Sequence, residues 1–433
     1  METTTEPSRT RFTGLWQHHD FLKLWAGQTV SLFGSRVGGF ALTFVAVLTL
    51  HASPIQVALL SAAQYGPGLI VGLFAGVWVD RLRRRPVMIV VDIGRAIVLA
   101  IIPIAATLGR LSIALLFGVA LLVSVLTVCF DVAYRSYLPS LVRREELVEG
   151  NSKLQATAAG AEFGGWSIAG FLLPICTIPG TILINSLSFL VSAASLATIR
   201  RHEPALTPIT AERTGAWREI GAGLHLLHDR PIFRALAWVT GVWNLFRSII
   251  GATIILYVTR TLHVSPVVQG IIWSIGGISA MIGAALAERV TRRWGIGPTM
   301  IGMLLLAVIT TIFIPLASGP LGWIVVSLLI QQILGDGAAT IYEINQVSLL
   351  QAQTPDHLLG RMHASIRFIE WSAMLSGLLL GGLLGQVIGL RAALFVAVGG
   401  QLLAPLLLAR SPVRGTSPPG PLSIAMERGS DPP

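Results

Sequence analysis

The chain reads Asp80-Arg81-Leu82-Arg83-Arg84-Arg85 after one long apolar run and Glu288-Arg289-Val290-Thr291-Arg292-Arg293 after another. In each, an acid–arginine pair is followed, after two intervening residues, by two adjacent arginines. The copies lie 208 residues apart (288 − 80). The acids Glu162 and Glu370 share that offset (370 − 162), as do the aromatics Tyr65 and Trp273 (273 − 65). Arg36 and Arg247 are 211 apart (247 − 36). A near-constant offset across four features marks an internal duplication of two halves running in the same direction.

What is duplicated is a set of apolar runs. Crossing a bilayer core of about 30 Å takes about 20 apolar helical residues. Runs of that size fall at roughly 25–50, 57–79, 87–107, 111–130, 154–177 and 180–199, and resume at roughly 232–257, 265–287, 298–317, 321–342, 365–388 and 390–409. No period-two alternation of the kind a membrane barrel needs is visible. The first run is too long for a removable signal peptide. The pattern predicts an all-α integral membrane protein, twelve transmembrane helices arranged as two six-helix pseudo-repeats.

Composition agrees. Of 433 residues, 53% are hydrophobic and 12% charged, against about 25% charged in ordinary soluble proteins; the mean hydropathy is +0.73. There are too few charges to solvate a surface, which excludes a soluble enzyme, a nucleic-acid module and a disordered chain. Cys129 and Cys176 make no disulfide framework or zinc cluster. The net charge of +10 is explained by where the arginines fall. Arg81 to Arg85, Arg135 to Lys153, Arg200 to Arg230 and Arg289 to Arg293 all occupy alternate loops, while the opposite loops hold only Arg110, Arg260 and Arg391. By the positive-inside rule both termini and the central loop are expected to be cytoplasmic, and the basic balance points to anionic headgroups rather than nucleic acid.

The expected organisation is a cytoplasmic N-terminal segment (1–24), a six-helix bundle (25–200), a central cytoplasmic loop (201–231), a second bundle (232–410) and a disordered tail (411–433). Within the loop, Trp217 to His228 reads as an amphipathic helix on the membrane face. His225 and His228 stand three apart without a third ligand, so no metal site is expected. Such a six-plus-six arrangement places a substrate site near the midplane between halves, and rocking of the halves gives alternating access.

With Gly76 four residues before Asp80, the loop after the second span resembles the signature of the major facilitator superfamily, and Glu288 to Arg293 fits its degenerate second copy. Asp92-x-x-Arg95, Tyr134-Arg135-Ser136-Tyr137-Leu138-Pro139, Asn185-Ser186-Leu187-Ser188-Phe189, and Thr354-Pro355-Asp356 followed by Gly360-Arg361 are similar to the exporter branch that includes enterobactin-type siderophore exporters and macrolide efflux proteins. The resemblance spans residues 20–410. It implies a charge-relay latch at the cytoplasmic ends of the second and eleventh helices, built from Gly76, Asp80, Arg81, Arg84 and Arg85 with Asp92 and Arg95 contributing, and from Glu288, Arg289, Arg292 and Arg293 in the second half. Gly160-Ala161-Glu162-Phe163-Gly164-Gly165 resembles the fifth-helix antiporter motif G-P-x-x-G-G, with Ala161 where that motif has proline; its small residues suit a hinge or seal between halves. Ser35, after Gly34, stands where relatives in this branch often carry an acid.

No G-x-x-x-x-G-K-[ST] phosphate loop is present, and the only lysines are Lys23 and Lys153. An ion gradient is therefore the expected driver, and a proton-coupled carrier needs a carboxyl at membrane depth. The candidates are Glu162, Glu370 and Asp336; Glu162 lies about 12 Å into its span at 1.5 Å per residue. Arg36 and Arg247 either serve a cavity or lock to Glu162, Glu370 or backbone carbonyls. Gln28 and Gln64, with Gln331, divide between cavity and helix contacts. Tyr65, Trp243, Phe246 and Trp273 would stack on a large substrate or pack against neighbours. All nine histidines fall in loops or at span ends, which disfavours an intramembrane hydrolase. The reading is a proton-coupled exporter of a small amphipathic compound (a drug, macrolide or siderophore), monomeric, in a bacterial inner membrane among lipids, with no cofactor. The alternatives are an uncoupled facilitator or lysolipid-type flippase, and a transport-inactive scaffold or sensor.

Overall fold

The computed structural model describes residues 14–79, 82–143, 146–200, 221, 230–355 and 358–415. Asp80 and Arg81, the segment read as an amphipathic helix apart from Gly221, and the tail beyond Gly415 lie outside the described residues. Those described form twelve helical rods, with no strand among them. The first six are α1 (His19–Thr49), α2 (Pro54–Val79), α3 (Arg84–Thr107), α4 (Ile113–Leu141), α5 (Leu147–Cys176) and α6 (Ile178–Ala197). The second six are α7 (Pro231–Thr261), α8 (Pro266–Trp294), α9 (Ile296–Leu316), α10 (Leu321–Gln353), α11 (Leu359–Val387) and α12 (Leu390–Ala409). Among the described residues, ten of these rods qualify as membrane spans on length and apolar composition alone.

The polarity of α3 shows why these rods belong in lipid. Val90, Ile93, Ile97, Ile101, Ile104 and Leu108 recur every three or four residues and are exposed, whereas the buried face carries Met88, Asp92, Arg95 and Leu99. In water that arrangement would be inverted; in a bilayer the outer stripe meets acyl chains and the charges are sheltered by protein. Hydroxyls inside the rods satisfy themselves on the preceding turn, as Thr240 does on Leu236 O (2.7 Å) and Ser327 on Trp323 O (2.9 Å), so no lone polar group faces hydrocarbon at those points.

The duplication is visible in the packing. In the first half α1 packs on α5 and α6, α2 on α4, and α3 on α4 and α6; in the second half α7 packs on α11 and α12, α8 on α10, and α9 on α10 and α12. It also extends beyond the four sequence features. α1 ends in a π-helical turn at Val45–Thr49 and α7 in another at Tyr257–Thr261. Each is followed by a histidine in the left-handed region, His51 (φ 50°) and His263 (φ 54°), and then by Ser53-Pro54 or Ser265-Pro266 opening the next helix. The repeated His-x-Ser-Pro was available in the sequence at an offset of 212 (263 − 51).

The halves meet through α2 with α11 and α5 with α8, pairs that the internal repeat exchanges. Two close glycine contacts between the halves lie at the end of the bundle opposite the start of α1, called here the distal end. A Cβ on Gly382 of α11 would fall 2.3 Å from Ala58 Cβ of α2, and one on Gly170 of α5 would fall 3.0 Å from Gly270 Cα of α8, so only glycine permits either contact. Arg260, in the last turn of α7, adds two bonds across the divide, Nη1 donating to Ala52 O (2.8 Å) and Nη2 to Val47 O (2.7 Å). At the other end, Pro412–Gly415 forms a turn that buries Val413 against the second half. Ordered chain thus continues past residue 411, where disorder was expected to begin.

Candidate functional site

Between the halves lies a cavity of ≈ 960 Å³, lined by six helices of the first half and by α7, α8, α10 and α11 of the second. It reaches from Gln28 in α1 to Val57 near the distal start of α2. Of the residues singled out in the sequence, Arg36, Gln28, Gln64, Tyr65, Glu162, Arg247, Trp273 and Asp336 line it. Ser124 Oγ donates to Gln64 O (2.6 Å), tying α4 to α2 and fixing the wall that presents Tyr65, which is 45% exposed. Trp273 meets Phe40 of the other half edge-on, with ring centroids 5.6 Å apart.

Other expected members lie elsewhere. Trp243 is buried against Tyr342 in the core of the second half, and Phe246 packs against Gly400; neither lines the cavity, because both rings turn into their own bundle. Glu370 is half-buried on α11 and also stays off the cavity wall, whereas its neighbour Trp371 is on it. Asp92 and Arg95 sit well inside α3 rather than at a latch-bearing helix end. They bond to each other in near-complete burial, with the Arg95 guanidinium held between the Phe130 ring (4.3 Å) and the Phe189 ring (4.1 Å). The edge of Arg95 reaches the cavity.

Three acid–arginine pairs therefore surround the space, and burial separates them into two kinds. Arg36 Nη2 meets Glu162 Oε2 at 2.5 Å with both side chains 42% exposed, and Arg247 meets Glu343 at 3.7 Å with both about half exposed. Hydrated pairs of this sort contribute about 0–1 kcal/mol, so a ligand can displace them. Breaking a buried pair such as Asp92–Arg95 costs about 3–5 kcal/mol, which makes it a fixed brace.

Glu343 and Asp131 are charged cavity residues that the sequence reading passed over. Both line the cavity. Each stands one position beyond an apolar run drawn as 111–130 or 321–342, while α4 continues to Leu141 and α10 to Gln353. Arg247 accordingly pairs with Glu343 rather than with Glu162 or Glu370, the two acids the sequence offered it.

Asp336 occupies the middle of α10, immediately after a π-helical turn, Gln331–Gly335. Its Oδ1 accepts from Gln331 Nε2 (3.2 Å), and it enters no ion pair among the described residues. The glycines of the fifth-helix motif do not seal the halves. Gly165 lets α5 close on Arg36 of α1 within one half (a Cβ there would lie 2.4 Å from Arg36 Cβ), and the cross-half contact comes later, at Gly170 and where Ser167 and Ser274 hydroxyls hydrogen-bond.

Of the expected latch, Gly76 lies in the last turn of α2. Arg85 donates to Leu196 O (2.9 Å) and Ala197 O (2.7 Å), capping α6 within its own half. Arg84 begins α3. In the second half Glu288 pairs with Arg292 one turn along α8 (3.2 Å), and Arg289 and Arg293 are exposed.

Residues 24–375 match the profile of the Major Facilitator Superfamily. The chain belongs to that superfamily. It is a multi-pass membrane transporter rather than an enzyme. An uncharacterized MFS-type transporter, YfiS, of Bacillus subtilis (strain 168) is 27% identical over 384 residues, 87% of this chain and 89% of its own. The multidrug efflux pump Tap of Mycolicibacterium fortuitum is 27% identical over 386 residues, 84% of this chain and 90% of its own. Among solved structures, a bacterial homologue of the iron transporter ferroportin in its inward-facing state superposes with a TM-score of 0.71 at 19% identity, covering 92% of this chain and 99% of that one. The transporter shares that fold.

Proposed function

We propose that the transporter is a proton-coupled exporter of a small amphipathic compound, working by alternating access from a bacterial inner membrane with both termini in the cytoplasm. The observation that carries the coupling is Asp336, a mid-helix carboxyl on the cavity wall with a glutamine amide as its hydrogen-bond partner and no ion pair among the described residues. An intramembrane acid is retained against a cost of about 2.5 kcal/mol or more, and one left unpaired beside a hydrated cavity is placed to gain and lose a proton as the halves rock. Glu162 and Glu343 are held by Arg36 and Arg247 in pairs weak enough for substrate to disturb. Glu370, off the cavity wall, ranks behind them. Export is supported by the likeness to Tap, and the arginine distribution supports the orientation.

The test uses inside-out vesicles with an acidic interior and a pH-sensitive dye, challenged with macrolides, siderophores, other drugs and lysolipids. Substrate-dependent proton release is expected in the wild type, absent in Asp336→Asn, and retained in Glu370→Gln. Release that survives in Asp336→Asn and disappears in Glu162→Gln would transfer the coupling role to Glu162. Transport with no proton movement in any variant would establish the uncoupled alternative.

A further inference from the structure

The charged side chains that line the cavity are Arg36, Arg95 and Arg247 against Asp131, Glu162, Asp336 and Glu343. Each arginine is already taken: Arg36 by Glu162, Arg247 by Glu343, and Arg95 by Asp92 behind it. Two carboxylates remain, one from each half, and neither forms an ion pair among the described residues. Asp336 keeps its bond to Gln331. Asp131, on α4, is exposed on the cavity side. The cations nearest Asp131 are Arg95 on α3, Arg36 on α1, and Arg135 one turn further along its own helix; the first two are committed elsewhere, and Arg135 is not on the cavity wall.

We propose that the cavity selects an organic cation with an apolar body, and that Asp131 is the carboxylate that receives its charge. An anion would have to strip Glu162 or Glu343 from an arginine and then face two uncompensated aspartates. A cation completes the charge balance without breaking any pair, and like-charge exclusion supplies the selectivity. The cavity also offers aromatic side chains. Tyr65 is exposed on α2, and the Trp371 ring lies so close to Gly68 on that helix that a Cβ there would fall 2.6 Å from it. Aromatic faces within reach of a desolvated cation add to the attraction. A volume of ≈ 960 Å³ is in the range that drug-sized ligands occupy. This assignment rests on the exporter reading and divides its labour: Asp336 carries the proton, and Asp131 carries the substrate's charge. It favours a protonated amine or quaternary cation over a polyanionic siderophore.

Calorimetric binding to the purified full-length protein tests it, with tetraphenylphosphonium as a permanent cation and tetraphenylborate as its near-isosteric anion. The wild type is expected to bind the cation about tenfold or more tightly than the anion. Asp131→Asn should lose about tenfold in cation affinity, Asp131→Glu should restore most of it, and Asp336→Asn should bind the cation while losing proton release in vesicles. Equal affinity for the two ions, absent cation binding in the wild type, or unchanged cation affinity in Asp131→Asn would overturn the proposal. The comparison of the two ions needs no variant, so a misfolded Asp131→Asn leaves it decisive. If the cation binds as expected but moves no protons, the cation site stands and the coupling reading alone falls.

Discussion

The distal contact between halves includes a cation, Arg260, that forms no ion pair among the described residues. Arg260 of the second half donates to Ala52 O and Val47 O of the first at 2.8 and 2.7 Å. Val47 O belongs to the π-helical turn that ends α1 and Ala52 O to the link just past the left-handed His51, so the guanidinium caps a helix C-terminus and the link after it across the divide. Hydrogen bonds to a charged group are each worth about 1.5–3 kcal/mol. Arg260 is only half-buried, which argues for the lower end and a total of about 2–3 kcal/mol. These bonds exist only while the distal end is closed. Since about 1.4 kcal/mol is tenfold in an equilibrium, Arg260→Gln should shift the population toward the distal-open form by roughly 30- to 140-fold. Spin labels at the exposed positions Leu59 on α2 and Val387 on α11, with Cys129 and Cys176 replaced by serine, report the two populations by pulsed dipolar spectroscopy. Arg260→Lys, which keeps the charge without the fork, should fall between the wild type and Arg260→Gln. A distance distribution in Arg260→Gln identical to that of the wild type would refute the cross-half cap.

The buried brace and the hydrated pairs should respond oppositely to mutation. Asp92→Asn or Arg95→Leu alone should destabilise the protein by about 3–5 kcal/mol, read as a lowered unfolding temperature in detergent, and the double variant should lose less than either. Arg36→Gln and Glu162→Gln should each stay within about 1 kcal/mol of wild-type stability, with the change showing in transport assays instead. Gly382→Val, whose side chain would be driven into Ala58, should hold the distal end apart and give the Arg260→Gln distance distribution at normal expression; a wild-type distribution would mean that α2 and α11 do not close there.

The sequence carried the architecture because a membrane span announces itself by length and polarity, and because a duplication fixes each residue's level along the bundle. It did not carry each residue's facing. Trp243 and Phe246 turn into the core of their own half, and nothing in their identity distinguishes them from Trp273, since an aromatic ring packs as well in a core as against a cavity. Glu370 repeats Glu162 in level, but Arg247 found Glu343 because the rotation of α10, not the spacing, set the nearer acid. Asp131 and Glu343 were lost for a different reason. A hydropathy boundary is drawn where charge begins, and these helices run on past it, α4 to Leu141 and α10 to Gln353.

The positions of Asp131 and Glu343 show how such a site is built. A charged residue in mid-span is costly, and one at a lipid-exposed helix end reaches the headgroups. Asp131 and Glu343 take a third position, past the apolar run but still inside the helical bundle, where the cavity supplies the water that lipid cannot. Protein charge can then face substrate without the desolvation that fixes Asp92 to Arg95. The strength of each pair follows from its access to that water: the dry pair holds α3 in place, and the wet pairs stay exchangeable. A ligand that displaces water from the cavity would strengthen every charge interaction it leaves behind, so substrate entry would itself alter the pairing of Arg36 and Arg247. On this reasoning Arg36→Gln should weaken the dependence of transport on substrate charge more than it weakens substrate binding, which the same pair of permanent ions can measure. Equal losses in binding and in charge dependence would make Arg36 part of the binding site itself.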